Sequence, residues 1–309
     1  MSHAPTVGIA GLGLIGASIG LRAAACGWQV AGWDPNGEHA SIARARGAVG
    51  VVLPSFAALA GEAETLVLAA PLDATVALLA ALVAGSPLRA TLIVDVASVK
   101  LPVARVGANL AAFVATHPIA GSERGGPRAA RADLFAQRTW TYDAQADPAA
   151  ANRARDFIEA MGAQPYAVAN GEHDRIVALT SHLPQLLSVA LGARLAPALE
   201  NPAVVALCGT GMRSMLRLGA SAWPVWQPVV AANRRVLAQE VRTLAEVLAM
   251  VAGALDDDRT DVLADDFATS ARAVARLGAN ASECGPVEAQ TTPWDERQSW
   301  IDGSHSAQP

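Results

Sequence analysis

The segment Gly11-Leu12-Gly13-Leu14-Ile15-Gly16 restricts the fold of this chain more than any other. It joins a short apolar run at residues 6–10 to a helical stretch that ends at Gly27. Three glycines at this spacing, between a strand and a helix, serve three purposes. The first makes the tight turn, the second lets the backbone approach a pyrophosphate, and the third lets the helix pack against the strand. The helix N-terminus then offers free N–H groups to the negative charge. Asp34 ends the next apolar run, 29–33, about 20 residues further on, where an acid accepts hydrogen bonds from an adenosine ribose. It would repel a 2′-phosphate, so the expected cofactor is NAD rather than NADP. The competing reading of Asp34 is a cap for the helix that follows Pro35.

Beyond this unit, helix-like and strand-like runs alternate: 38–45, a strand near Val51, 65–69, 72–83, 92–95, 103–110 and 113–116. That alternation predicts βαβ units and a mostly parallel sheet. A Gly- and Arg-rich irregular segment, 118–132, precedes a strand at 139–142, a helix at 148–161 and a strand at 165–169. From residue 172 strand signals vanish, and apolar positions at helical spacing continue to about Leu277. The expected organisation is a Rossmann-type α/β dinucleotide-binding domain (1–170), an all-α domain (171–278) and a polar tail (279–309). The helical part carries more apolar residues than one small bundle can hide, which predicts burial against a second copy in a homodimer.

The chain is 52% hydrophobic and 17% charged, with a net charge of −5 and no basic run, which argues against nucleic acid or an anionic membrane as partner. Three scattered cysteines, Cys26, Cys208 and Cys284, fit no disulfide framework or Cys-rich metal site. With no leader-like segment ahead of the first strand, the expected location is the cytoplasm. The apolar stretch 66–84 is broken by Pro71 and Asp73, so it reads as strand and helix rather than membrane span.

Chemistry is expected at the carboxyl ends of the strands. Ala70 and Pro71 follow one strand and Ser98 follows another, bordering the space for a nicotinamide. Ser98 is a donor to substrate or to His117, or else a helix cap. His117, in Thr116-His117-Pro118, lies just past the last main strand and can exchange a proton near neutrality. Ser122 and Glu123 sit in the loop after it. His182, with Gln185 three residues on, lies on an apolar helix, where a histidine is more often a satisfied core residue. Arg217, nine residues before Trp226, needs an anionic partner if buried; a substrate carboxylate and an inter-helix salt bridge are equal candidates.

Taken together, these segments resemble the prephenate/arogenate dehydrogenase family of tyrosine biosynthesis. The resemblance runs from Gly11 through the Asn233-Arg234 pair. It rests on residues 94–100, on 116–123 with 131–135, on 180–184 and on 217–226. It implies an NAD-dependent oxidative decarboxylation of a small-molecule substrate, prephenate or arogenate, with no metal. His117 matches the family's catalytic histidine, which accepts the proton of the ring hydroxyl. Ser98 matches the serine beside that hydroxyl, and Arg217 matches the arginine that clamps a substrate carboxylate. Ser122, Glu123, His182, Gln185 and Trp226 fall on positions lining the same pocket. The helical domain would be the dimerisation domain.

Two departures stand out. Gln185 replaces a histidine found in many relatives, which leaves the choice between a keto and an amino tail open. Around Arg217 the usual acids are replaced, by Ser214-Met215-Leu216 before it and Ser221-Ala222-Trp223 after it. A 3-hydroxyacid dehydrogenase or imine reductase, a dehydrogenase of a modified prephenate, and a non-catalytic NAD sensor remain alternatives.

Overall fold

The computed structural model describes residues 6–121 and 125–282. Its centre is a parallel sheet of six strands: β1 (Thr6–Ala10), β2 (Gln29–Trp33), β3 (Val51–Val52), β4 (Thr65–Leu68), β5 (Leu92–Asp95) and β6 (Phe113–Val114), in the order β3-β2-β1-β4-β5-β6. The helices between them are α1 (Leu14–Ala25), α2 (Gly37–Ala45), α3 (Phe56–Glu62), α4 (Leu72–Val83) and α5 (Leu101–Gly107). This is the doubly wound arrangement, in which the strand order reverses between β1 and β4 and leaves a crevice at their carboxyl ends.

Both faces of the sheet are buried, so its strands read as continuous apolar runs rather than alternating ones. Successive side chains go to opposite layers. Val67 and Val94 pack with Ile19, Trp140, Phe157 and Ile158 on one side, whereas Leu66, Leu68 and Ile93 pack with Leu59, Leu79 and Val103 on the other.

The turn after β1 depends on glycine. Gly11 has φ +97°, and a Cβ there would sit 2.5 Å from the Ala69 carbonyl oxygen. At Gly16 a Cβ would come within 1.9 Å of the Gly11 carbonyl oxygen.

The expected single strand at 113–116 is instead two. Strand β6 ends at Val114, and β7 (Thr116–Pro118) leaves the main sheet to pair antiparallel with β8 (Thr139–Asp143), which pairs in parallel with β9 (Gln164–Val168). Helix α6 (Pro148–Ala160), capped by the Asp147 carboxylate on the N–H groups of Ala149 and Ala150, packs over this smaller sheet. His117 is therefore a strand residue, not a loop residue. A buried ion pair makes the departure: Asp95, the last residue of β5, accepts from Lys100 Nζ at 2.5 Å and from the Thr116 N–H at 3.0 Å. Lys100 Nζ also donates to the Thr116 carbonyl, and Trp140 Nε1 donates to Thr116 Oγ1 at 2.9 Å.

The remaining chain is helical: α7 (Asn170–Val177), a π-turn at Ala178–His182, α8 (Leu183–Leu195), α9 (Pro202–Leu207), α10 (Thr210–Leu216), α11 (Trp223–Ala232), α12 (Arg234–Asp256) and α13 (Leu263–Ser282). Pro184 has no N–H for the carbonyl of Thr180, which is where the helical ladder widens. Helix α13 runs through Gly278 to Ser282, past the expected end near Leu277; of the tail, only residues up to 282 are described.

The run Asn170–Glu200 has the length and composition to cross a bilayer, at 31 residues and mean hydropathy 1.5. It carries buried His173, Asp174, His182 and Gln185, each bonded to another part of the protein, and 33% of its apolar window is buried. The outer helices leave large apolar side chains in the open, including Leu207, Val225, Met250, Phe267 and Val274.

Candidate active site

The crevice is framed by the carboxyl ends of β1, β4 and β5. On the β1 side, a Cβ at Gly13 would have nothing within 4 Å, leaving open space at the entrance to α1. Helix α1 has no side-chain cap and no acid in its first turn, so the N–H groups of Leu14, Ile15 and Gly16 point outward unspent. Asp34 does not cap α2; Asn36 does, accepting from Glu38 and His39. Instead the Asp34 carboxylate takes the Leu12 N–H at 2.7 Å and the Asn36 N–H at 2.8 Å, tying the end of β2 to the glycine turn. An open cradle, a bare helix N-terminus and an acid beside the turn together fit a dinucleotide. Ala70 and Pro71 lie at the head of α4, partly exposed to the same crevice.

After β5, Ser98 is half-buried and makes no hydrogen bond among the described residues. It neither reaches His117 nor caps α5. The start of α5 is capped from the helical domain: Asp174 Oδ1 accepts from the Lys100 N–H at 2.7 Å, and Oδ2 from the Leu101 N–H at 2.9 Å.

His117 stands next to this junction. Its Nδ1 lies 3.0 Å from His173 Nε2, with the rings edge to face, and His173 Nδ1 lies 2.9 Å from Asp174 Oδ1. His117 is half-buried, and its Nε2 has no partner among the described residues. Burial, the Lys100 ammonium and the neighbouring His173 and His182 hold its pKa well below the ordinary histidine value. Burial likewise lowers Lys100, although Asp95 opposes the shift.

The helical side supplies a second polar cluster. His182 is buried, with its ring edge to face against Trp226 at 5.9 Å and Nδ1 3.3 Å from Asn233 Nδ2. Burial pushes its pKa down to about 4, partly offset by Asp174. Asn233, at the break between α11 and α12, also donates to the Asp174 carbonyl at 2.7 Å. His182 is thus a satisfied interior residue whose ring supports Trp226.

Gln185, expected at the substrate's tail, is buried and donates to the Leu218 carbonyl at 2.7 Å. One turn on, Ser188 Oγ accepts from the Gly219 N–H at 2.8 Å. Helix α8 thereby grips the short 3₁₀ turn Arg217–Ala220. Arg217 itself is exposed in the single chain, so the premise of a buried guanidinium does not hold. Ser122 and Glu123 lie outside the described residues.

The fold therefore brings together His117, Ser98 and the glycine turn around the crevice, and His182, Trp226, Gln185 and the Arg217 turn on the helical side. Sequence reading missed His173, Asp174, Asn233, Asp95 and the paired role of Lys100. A His-Asp dipeptide at the start of a helix was the one available signal. The partners of both residues lie far away in sequence, however.

Residues 18–167 match the family model described as prephenate dehydrogenase, nucleotide-binding domain, and residues 169–269 match prephenate dehydrogenase, dimerization domain. The chain is 35% identical over 176 residues to a probable prephenate dehydrogenase of Streptomyces niveus, covering 53% of this chain and 48% of that protein. It is 29% identical over 239 residues to the prephenate dehydrogenase of Bacillus subtilis, covering 74% and 64% respectively. The match thus spans less than two thirds of either relative. Against the cyclohexadienyl dehydrogenase of Zymomonas mobilis, identity is 27% over 276 residues, covering 86% of this chain and 94% of that one.

Among solved structures, prephenate dehydrogenase from A. aeolicus, in complex with hydroxyphenyl propionate and NAD+, superposes with TM-score 0.81 at 20% identity. That alignment covers 88% of this chain and 98% of that one. Synechocystis arogenate dehydrogenase gives 0.76 at 23% identity, covering 88% and 99%. At these identities the structures speak for the fold, and the two adjoining family models speak for descent. The chain belongs to the prephenate dehydrogenase family.

Proposed function

We propose that this protein oxidatively decarboxylates prephenate, arogenate or both, with NAD as the oxidant and a homodimer as the working unit. The observation that carries the reading is His117: an imidazole held neutral by burial and by neighbouring charge, with Nε2 unpartnered among the described residues, on the strand that follows the nucleotide-binding sheet. Relatives named for prephenate, arogenate and cyclohexadienyl substrates support the same chemistry.

In this mechanism His117 Nε2 accepts the proton of the ring hydroxyl as the C–O bond becomes a carbonyl. When bound, NAD supplies the acceptor for the electron pair of the ring C–H bond. The electron pair of the bond to the ring carboxylate then enters the ring, CO2 departs, and the proton held by His117 returns to the phenolate oxygen. No net proton is released. Aromatisation provides the driving force, so the protein need only position the ring, hold a proton and bind anionic groups. In this reading Ser98, which makes no hydrogen bond among the described residues, bonds the reacting hydroxyl, and Arg217 binds a carboxylate. Asp34, already bonded to the glycine turn, favours NAD over NADP because a 2′-phosphate would meet its charge.

The homodimer accounts for the exposed apolar residues of the outer helices, which a monomer would leave in water. The decisive assay mixes the protein with NAD and either prephenate or arogenate and follows reduced cofactor by absorbance and the aromatic product by chromatography. Formation of both products from either substrate is expected, and absence of turnover with both overturns the proposal. His117→Asn should lower kcat by about 100-fold or more while cofactor affinity stays unchanged.

A further inference from the structure

The side chains between His117 and the helical domain form an ordered chain of hydrogen bonds that fixes the direction of every proton in it. It starts at Asp174. This carboxylate is fully buried, at 0% exposure, and already accepts the backbone N–H groups of Lys100 and Leu101. A carboxylate only accepts, so the 2.9 Å contact from Asp174 Oδ1 to His173 Nδ1 places a proton on that nitrogen. The neutral His173 ring then offers Nε2 as an acceptor. At 3.0 Å from it, His117 Nδ1 must be the donor. A neutral imidazole with its proton on Nδ1 carries its lone pair on Nε2, the nitrogen without a partner among the described residues.

We infer that His173 and Asp174 are positioning residues that lock His117 into the Nδ1–H tautomer, making Nε2 the proton-accepting atom. The inference deepens the dehydrogenase reading and rests on it for its kinetic consequences, whereas the tautomer itself does not. It also gives the two domains a chemical reason to stay docked. Asp174 and His173 belong to α7, and His117 to a strand of the nucleotide-binding half. The Asp174 carboxylate bonds both halves at once, and the Asn233 amide on its backbone carbonyl holds it from behind at 2.7 Å.

Among the described residues, the groups facing His117 are few. Lys100 and Asp95 lie on the β5–α5 side, with His173 and Asp174 on α7 and His182 on the π-turn. Lys100 also feels Asp143 of β8, which is itself bonded to Asn170 at 2.6 Å. None of these can take the place of His173 at Nδ1, because Lys100 Nζ is already held by Asp95 and the Thr116 carbonyl.

The test is nitrogen NMR of protein carrying 15N-labelled histidine, at neutral pH, with the His117 signals assigned through His117→Asn. The expected result is a pyrrole-type Nδ1 and a pyridine-type Nε2 on His117. A pyrrole-type Nε2, or an averaged pair, overturns the inference without any substituted residue near the relay. Two variants then read its kinetic weight. His173→Leu removes the acceptor and should lower kcat by about 100-fold with KM for either substrate little changed, and the His117 signals should average. His173→Gln keeps an acceptor oxygen and should stay within about 10-fold of the parent. Equal losses in the two variants would reduce His173 to a packing residue and overturn the inference. If neither prephenate nor arogenate turns over but the Nδ1–H tautomer is present, the relay stands and the substrate assignment alone fails.

Discussion

His182 makes acid sensitivity a measurable property of this fold. Its ring is 1% exposed, packed against Trp226 and bonded to Asn233, and its pKa falls to about 4 from an ordinary 6.5. A histidine with a depressed native pKa binds its proton more readily in the unfolded chain. Stability therefore rises with pH, is fully present above about 6.5, and is lost as pH falls from there toward 4. Integrating between pH 7 and 5 with those two values gives a loss of about 2 kcal/mol from this side chain, a sizeable share of the ~5–15 kcal/mol that folded domains possess. His117, also shifted down, adds in the same direction.

The substitution that isolates the effect is His182→Asn, which keeps an acceptor near the Nδ1 position for the Asn233 amide and removes the titration. Urea unfolding of both proteins at one protein concentration, at pH 7 and pH 5, yields the comparison. The parent should lose about 2 kcal/mol more than the variant over this interval. The carboxylates titrate alike in both and cancel. Equal losses would mean that His182 is charged in the folded protein, and the account of its burial would be wrong.

Three further outcomes follow from the geometry. Lys100→Met leaves the buried Asp95 without its ammonium, so stability should fall by about 3–5 kcal/mol in urea unfolding, and the acid limb of the kcat/KM profile should move to higher pH as a positive neighbour of His117 disappears. Gln185→Leu frees the turn that carries Arg217; KM for the substrate should rise about 10-fold with kcat nearly kept, and an equal fall in kcat would contradict a purely positioning role. Asp34→Asn removes the charge but keeps a side-chain oxygen for the Leu12 N–H, so kcat/KM with NADP should rise relative to NAD; an unchanged ratio would separate Asp34 from cofactor choice.

Several elements were legible in the sequence because their signals are local. The glycine turn, the apolar strands and the capped helices declare themselves within a window of a dozen residues, since turn sterics and burial on both faces of a parallel sheet act at that range. Asp34 at the end of β2 and His117 after β6 followed from the same regularity. The change to helix near residue 170 showed as a change of hydrophobic period. Other features were illegible because their cause lies across the chain. A strand at 113–116 is a sound reading of Phe113-Val114-Ala115-Thr116, yet Asp95 and Lys100 draw Thr116 out of the main sheet. Ser98 looks like the cap of α5, but the cap comes from Asp174, more than seventy residues away. Gln185 looks like a tail contact, whereas its amide is spent on Leu218.

By itself, then, the sequence determined the nucleotide-binding half, the helical half and the place of His117, because periodicity and turn chemistry are written residue by residue. Only the tertiary structure decided which nitrogen of His117 meets His173, why that ring stays neutral, and which helix holds the arginine turn. Those answers depend on buried hydrogen bonds between distant segments, and a donor's partner is chosen by what the packing leaves within about 3 Å of it.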